Sequence, residues 1–187
     1  MRVRVLLAVA LALVIAGSAL ADESFSSSGV YLGLAGVVAI PTDLESGIDL
    51  GTGGLTARAG YRFLPRFAAE IHYEWLSSFT PSFFFMDEEV EPWVLTADGR
   101  LYLLTSRVQP FLLIGAGLMH AERERTLFFG QPNSSESTEF AARFGIGLDV
   151  YVVDGLAVTF DTSYLLPTGP LEDLDYLAFT LGLQYRF

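Results

Sequence analysis

Only two histidines occur in this sequence of 187 residues, and each alternates with two carboxylates along the chain. The two sets are Glu70, His72 and Glu74, and His120, Glu122 and Glu124. Imidazole and carboxylate groups bind divalent cations, and a histidine between carboxylates can also relay a proton. Each set is therefore a candidate cation site, and the first is also a candidate proton relay. We favour two structural roles over these and predict no metal site: an ion-pair network for the first set and a polar strand end for the second, which leaves His120, Glu122 and Glu124 as weak candidates.

Residues at alternate positions share a face in a β-strand, so strands must position both sets. Residues 55–63 and 67–75 alternate between apolar and polar side chains on either side of Leu64, Pro65 and Arg66. Two alternating runs separated by a short break that contains proline predict a β-hairpin. Glu70, His72 and Glu74 lie on the polar face of the second strand of this hairpin.

The hairpin also predicts partners for this set. With the turn centred on Pro65, Arg58 lies opposite His72. Glu70 and Glu74 are then the diagonal neighbours of Arg58, within reach of its long side chain. We expect Arg58 to form a fork between these two carboxylates.

The same alternation recurs along the chain and predicts eight strands. They are residues 30–40, 55–63, 67–75, 93–103, 109–122, 140–151, 156–164 and 176–187. Long connections follow the first, third, fifth and seventh strands, which places all of them at one end of a sheet. This asymmetry and the even strand number predict an all-β fold, an eight-stranded antiparallel up-and-down transmembrane β-barrel.

The register of the fifth strand is the least certain, because residues 111–114 are apolar on both faces. We assign its outer face to Leu112, Ile114, Ala116 and Leu118. Glycines then alternate with them on the inner face.

Alternation alone leaves open which face is inside, since a secreted lipocalin-like barrel would enclose its apolar face around a ligand. Aromatic residues decide the question, because those of the apolar face cluster at both strand ends around an aliphatic band. They are Tyr61, Phe63, Phe67, Tyr185 and Phe187 at one end, and Tyr73, Trp75, Trp93, Phe140 and Tyr164 at the other. Such belts match the two interfaces of a lipid bilayer.

The polar face then lines the lumen, where enclosed charges must be paired and hydrogen-bonded. We predict a lumen ion-pair network of Arg58, Arg62, Glu70, His72, Glu74, Asp98, Arg100, Arg143, Asp149, Asp161 and Arg186. Eight strands leave an interior that side chains can fill, which disfavours a wide pore.

The N-terminus has the pattern of a secretory signal peptide, with Arg2 and Arg4 before a short apolar run that ends at Ala21. We predict a signal peptide over residues 1–21, cleaved after Ala21, a loose periplasmic lead-in over residues 22–28, and a barrel over residues 29–187. Without cysteine, the exported domain is predicted to contain no disulfide. The net charge of −11 disfavours nucleic-acid binding, which needs a basic surface.

Three sequence features carry a resemblance to a known family: the terminal Tyr185-Arg186-Phe187, the opening Val30-Tyr31-Leu32-Gly33, and residues 110–117. With them the chain resembles the small outer-membrane β-barrel proteins of the OmpA/OmpX type, including opacity-like proteins. The resemblance implies a bacterial outer-membrane location, no cofactor, no peptidoglycan-binding domain, and recognition by the barrel-assembly machinery during insertion. The assembly signal it implies consists of Phe179, Leu181, Leu183, Tyr185 and Phe187.

These patterns favour a non-enzymatic integral outer-membrane protein with a filled lumen and acidic extracellular loops. We expect a structural or surface-interaction role, with contacts to outer-membrane lipids, to lipopolysaccharide and, through residues 76–92 and 123–138, to an extracellular ligand. Aromatic clusters lie within these loops, at residues 83–86 and 127–129. We favour an extension of strands three to six above the membrane, with these side chains packed together, over a sticky surface for a host, partner or lipid ligand.

Two alternatives are a narrow gated porin-like channel and, more remotely, a lipid A-modifying enzyme. Lipid A deacylases of similar shape pair a histidine with a serine two residues on, whereas Glu122 follows His120 here. Since esterase chemistry needs a nucleophile beside its base, the sequence disfavours the enzyme.

Overall fold

The computed structural model describes residues 25–42, 51–77, 82–83, 86–126 and 133–187. The strands in this part of the chain are β1 (Gly29–Pro41), β2 (Thr52–Leu64), β3 (Phe67–Leu76), β4 (Ser82–Phe83), β5 (Met86–Tyr102), β6 (Val108–Thr126), β7 (Asn133–Val153), β8 (Leu156–Pro167) and β9 (Tyr176–Arg186). A short 3-10 helix, Gly169–Leu174, connects β8 to β9. Among the described residues, no helix combines the length and the apolar character needed to cross a membrane.

Eight long strands form a closed antiparallel barrel, which confirms the predicted fold. β3 pairs directly with β5, and the two-residue β4 pairs with the start of β5. β9 closes the barrel against β1, with Arg186 opposite Tyr31 and Tyr176 opposite Pro41. A closed barrel pairs the backbone of every strand with a neighbour, as an apolar surrounding requires.

Side chains alternate between the lumen and the outside along the strands. In β6, where the pattern was ambiguous, Leu112, Ile114 and Leu118 are exposed on the outer face, whereas Phe111 and Leu113 are buried in the lumen. The predicted register of this strand is therefore confirmed. The outer face is apolar along the barrel, so the buried, partly charged face must be stabilised by pairing inside it.

β5, β6 and β7 are longer than predicted. β5 begins at Met86, β6 continues to Thr126 and β7 begins at Asn133. The assignment of residues 76–92 and 123–138 to loops was therefore largely wrong, whereas the favoured extension of strands beyond the membrane agrees with the bounds of β5, β6 and β7. Polar residues mark where side chains leave the apolar layer, but cross-strand hydrogen bonds continue for as long as a partner strand is present.

The extra length forms a strand extension, defined here as residues 86–92 of β5, 121–126 of β6 and 133–139 of β7. The last pair of β3 with β5 joins Trp75 and Trp93, so the extension continues beyond the rim of the barrel. Of the two aromatic clusters, Phe83 lies opposite Met86 in the β4–β5 hairpin. Residues 84–85 and 127–129 lie outside the described part of the chain.

Two apolar layers of buried side chains occupy opposite ends of the lumen. One, the turn-end cluster, lies at the end with the short connections and both barrel termini; it consists of Tyr31, Ala68, Tyr102, Phe111 and Leu113. The other, the loop-end cluster, includes Val37, Leu76, Met119, Leu165, Leu171 and Tyr176. The charged residues lie mainly between these layers.

Packing at the turn end predicts a specific cost for adding a side chain at Gly60. A Cβ built there would lie 2.4 Å from Cζ of Tyr31, whereas one built at the outward Gly36 meets nothing within 4 Å. We expect Gly60→Val to destabilise the barrel by about 1–3 kcal/mol, because overpacking forces side chains from their preferred rotamers. Gly36→Val should be close to neutral. Equilibrium urea unfolding in lipid vesicles measures both, and equal effects would contradict a close-packed lumen.

Candidate functional site: the charged lumen of the barrel

The side chains singled out for the lumen network are all buried in the barrel. They are Arg58 and Arg62 from β2, Glu70, His72 and Glu74 from β3, Asp98 and Arg100 from β5, Arg143 and Asp149 from β7, Asp161 from β8 and Arg186 from β9. Their common parity brings them together, because alternate residues of each strand point into the same narrow space.

Arg100 links two carboxylates near the turn-end cluster. Its Nε lies 3.0 Å from Oε2 of Glu70, and its Nη1 lies 3.6 Å from Oδ2 of Asp149. Tyr31 donates a hydrogen bond of 2.8 Å to Glu70, and Tyr102 donates one of 3.1 Å to Asp149. Since these charges are shielded from water, the hydrogen bonds offset part of the cost of their lost hydration.

Arg58 reaches across the barrel instead of along its own hairpin. Its Cα lies opposite that of His72, as predicted, but its Nη2 lies 3.0 Å from Oδ2 of Asp161. β1 and β9 separate the strands of Arg58 and Asp161 in the sheet. The predicted fork between Glu70 and Glu74 was therefore wrong, because a carboxylate on the facing wall competes with the diagonal neighbours.

Arg143 holds the loop-end half of the network. It donates to Oγ of Ser163 through Nε at 3.1 Å and through Nη2 at 2.9 Å. Its Nη2 also lies 3.6 Å from Oε2 of Glu74, whose other oxygen accepts a hydrogen bond from Tyr176. Asp98 is farther away, at 4.0 Å from Nη1. Arg143 thus pairs with Glu74 and leaves Asp98 with a long contact.

His72 and Asp98 lie near each other in the lumen. Nδ1 of His72 lies 4.0 Å from Oδ2 of Asp98, and Nε2 lies 3.7 Å from Oε2 of Glu74. Both distances are too long for hydrogen bonds. Among the described residues, neither ring nitrogen of His72 and neither carboxylate oxygen of Asp98 has a hydrogen-bond partner.

The described part of the lead-in is held at the turn end of the lumen. The carbonyl oxygen of Phe25 accepts hydrogen bonds of 2.9 Å from Gln109 and 2.7 Å from Arg186. The Phe25 ring lies 5.5 Å from that of Tyr151. Phe25 therefore contacts the turn end of the barrel, and a loose lead-in over residues 22–28 stays a prediction.

Neutral hydrogen-bond partners in the lumen were missed by reasoning from the sequence. Tyr31, Tyr102 and Tyr176 each donate to a carboxylate, and Gln184 accepts from Arg100 at 3.4 Å. The alternation of each strand predicts that these side chains point into the lumen. It does not predict which strand across the lumen carries the hydrogen-bond acceptor.

His120 and Glu122 of the second histidine set lie on the outside of the barrel. Nδ1 of His120 is 2.7 Å from Oγ1 of Thr138 on β7, and its ring stacks on Trp93 with centroids 5.2 Å apart. Glu122 is exposed on the same face of β6, and Glu124 belongs to the strand extension. His120 thus contacts the hydroxyl group of Thr138 and the indole ring of Trp93. A cation site formed by His120, Glu122 and Glu124 stays a hypothesis.

The outer face of β9 carries the residues of the predicted assembly signal, Phe179, Leu181, Leu183, Tyr185 and Phe187, all exposed. Tyr185 packs edge-on against Phe187 with ring centroids 5.0 Å apart. This aromatic pair lies at the turn end of the strand that closes the barrel.

The profile of the outer membrane protein beta-barrel domain family matches residues 7–187 of the chain. Among solved structures, Ail, the attachment invasion locus protein of Yersinia pestis, has a TM-score of 0.60 and 19% identity, over 86% of this chain and 97% of that one. Ail has also been solved in complex with the heparin analogue sucrose octasulfate.

Two further structures are similar. Neisserial surface protein A has a TM-score of 0.58 and 17% identity, over 86% of this chain and 97% of that one. OprG from Pseudomonas aeruginosa has a TM-score of 0.57 and 14% identity, over 89% of this chain and 99% of that one. At such identities the similarity shows the fold alone. Comparison with curated protein sequences gives no match.

Proposed function

The chain belongs to the outer membrane protein beta-barrel domain family, and on that premise we propose a closed outer-membrane barrel that acts through its strand extension. The family places the chain in the bacterial outer membrane. We orient the turn end toward the periplasm and the strand extension toward the outside of the cell, because short periplasmic turns are typical of such barrels. Its outer face then contacts membrane lipid and lipopolysaccharide.

Two apolar layers of side chains across the lumen are the observation that carries this proposal. Paired charges occupy the middle of the lumen, and the turn-end and loop-end clusters lie on either side of them. Leu171 of the 3-10 helix is buried in the loop-end cluster, so the β8–β9 connection folds over that mouth. Apolar layers at both ends support a barrel that serves as a scaffold, because ions cross apolar layers poorly.

The strand extension supports a role in surface interaction. By sequence it carries eight carboxylates and two arginines. Ail binds a polyanionic heparin analogue, but an acidic surface repels such ligands. We therefore propose that the partner of this chain is cationic or is bridged by cations.

A narrow gated channel is the second candidate. The hydroxyl oxygens of Thr56, Thr96, Thr159 and Thr180 are buried without a hydrogen-bond partner among the described residues. They add uncharged polar groups to the wall that water molecules could hydrate. A rearrangement of the long ion pairs would be needed to open a path.

Planar-bilayer recordings test the two candidates. We expect the purified protein to give no steady single-channel conductance above that of a protein-free bilayer, because the apolar layers block ions. A steady conductance that is altered by Arg58→Met or Glu74→Gln would contradict the closed barrel and favour the channel. Folding of each variant is checked by the mobility difference between unboiled and boiled samples on detergent gels.

We propose no enzymatic activity. His120 and Thr138 form an imidazole–hydroxyl pair, but acyl transfer also requires a group that orients the imidazole and donors for an oxyanion. The described polar contacts of this pair supply neither. We further propose that residues 1–21 are an export signal cleaved after Ala21, and that the outer face of β9 is read by the barrel-assembly machinery.

A further inference from the structure

We propose that Glu70, His72 and Asp98 form a binding site for a divalent transition-metal ion inside the barrel. One ligand atom from each of the three side chains can be chosen so that all lie within 4.8 Å of one another. We call this group the His72 site. It goes beyond the proposed surface role, since it concerns the interior of the barrel.

Strand pairing places the three side chains together. Glu70 and His72 share the inner face of β3, and Asp98 of β5 lies directly opposite Glu70. Two carboxylates in such a cross-strand pair repel each other unless a cation lies close to both. Arg100 contacts Glu70 at 3.0 Å, whereas the nearest arginine contact of Asp98 among the described residues is 4.0 Å.

Several polar atoms of these three side chains have no hydrogen-bond partner among the described residues. His72 is 1% exposed and Asp98 is 3% exposed, yet both ring nitrogens and both carboxylate oxygens lack a hydrogen-bond partner among the described residues. Oε1 of Glu70 is also buried without a hydrogen-bond partner in the part of the chain that the structure describes. Asp161, by contrast, accepts a hydrogen bond of 3.0 Å from Arg58. Buried polar groups without partners are costly, and a bound cation would satisfy those of the His72 site.

The surroundings of His72 resemble those of a metal-binding histidine. With Nδ1 turned toward Asp98, Nε2 faces Oε2 of Glu74 at 3.7 Å. Histidine ligands usually donate their other ring N–H to a carboxylate or carbonyl, which sets the tautomer and the ring orientation. Tyr176 holds Glu74 and Tyr31 holds Glu70 by hydrogen bonds, so the carboxylates on both sides are anchored.

The ion pairs of the lumen leave one carboxylate, Asp98, without a close arginine among the described residues. The network has five arginines, Arg58, Arg62, Arg100, Arg143 and Arg186, and five carboxylates, Glu70, Glu74, Asp98, Asp149 and Asp161. Arg58 contacts Asp161, Arg100 contacts Glu70 and Asp149, and Arg143 contacts Glu74, all within 3.6 Å, whereas the arginine contact of Asp98 is 4.0 Å long. Arg62 and Arg186 lie toward the turn end, where they donate to the carbonyl oxygens of Pro65 and Phe25.

The donor set defines the class of metal. One imidazole nitrogen and two carboxylate oxygens suit zinc, cobalt or manganese, whereas calcium prefers six to eight oxygens. Zinc holds such ligands at about 2.0–2.2 Å, which places neighbouring ligand atoms about 3.4 Å apart. Small rotations of the three side chains would bring them from within 4.8 Å to that spacing.

The two histidines of the chain allow a matched test. The full-length mature protein is refolded in detergent with Zn²⁺, dialysed against metal-free buffer, and analysed for bound zinc. We expect one zinc per chain in the wild type and in His120→Gln, and a loss of at least tenfold in affinity in His72→Gln and Asp98→Asn. Gel mobility of unboiled samples confirms that each variant is folded.

A second measurement, of NMR shifts caused by Co²⁺, uses a variant in which the lumen side chains are unchanged. In His120→Gln the remaining histidine is His72, so Co²⁺ should shift the ring-proton resonances of that residue if it binds there. Zinc that is retained by His72→Gln but lost in His120→Gln would overturn the proposal in favour of the outer histidine. No bound zinc after refolding, or no shift of the His72 resonances with Co²⁺, would overturn it as well.

Discussion

Replacing Arg100 with methionine is expected to lower the free energy of unfolding by about 3–5 kcal/mol. Arg100 is enclosed in the lumen and lies 3.0 Å from Glu70 and 3.6 Å from Asp149. Methionine retains the length of the side chain but leaves two buried carboxylates without their cation. Equilibrium urea unfolding in phosphocholine vesicles, followed by the fluorescence of Trp75 and Trp93, measures the loss.

Two further variants make this result specific. Arg66→Met changes an exposed arginine in the β2–β3 turn and should cost no more than about 1 kcal/mol. Adding Glu70→Gln and Asp149→Asn to Arg100→Met removes the uncompensated charges and should recover most of the lost stability. If Arg100→Met costs no more than Arg66→Met, the buried network does not have the energetic role inferred from its geometry.

Replacing Ile71 with arginine is expected to cost about 2–4 kcal/mol in a bilayer. Ile71 is 53% exposed on the outer face of β3, midway between the aromatic residues Phe67 and Trp75. If those aromatics lie at the two interfaces, the new guanidinium is placed near the centre of the hydrocarbon layer. The same urea titration in vesicles gives the free energy of unfolding.

Leu64→Arg is the matched control for depth. Leu64 is 51% exposed at the turn end of β2, so its arginine can reach the interface and should cost about 0–1 kcal/mol. A soluble barrel would tolerate both arginines on a solvated surface. Equal and small effects of the two substitutions would therefore contradict the assignment of the apolar face to lipid.

The strands of the barrel could be predicted because their apolar layer imposes a simple pattern. β2 and β3 alternate on every residue, and the Cα of Arg58 lies opposite that of His72 as the turn at Pro65 indicated. Even in β6, which is apolar on both parities near Leu113, the outward face was assigned correctly. The alternation of apolar and polar residues is a property of each strand alone, so it can be read from the sequence.

The bounds of the strands beyond the membrane could not be predicted in the same way. Glu89 and Glu91 are paired β5 residues, opposite Glu124 and Glu122 of β6. Outside the apolar layer both faces of a strand can be polar, and the alternation that marks a strand is lost. Hydrogen bonds to the neighbouring strand keep the backbone extended, and this pairing is a property of the assembled sheet.

The sequence by itself determined which side chains face the lumen, because the parity of each strand follows from its own residues. Only the tertiary structure decided how those side chains pair. Arg58 contacts Asp161 across the barrel instead of the carboxylates of its own hairpin, and His72 meets Asp98. Closure of β9 on β1 sets which walls oppose each other, and ion pairs across a narrow lumen depend on distances that no single strand contains.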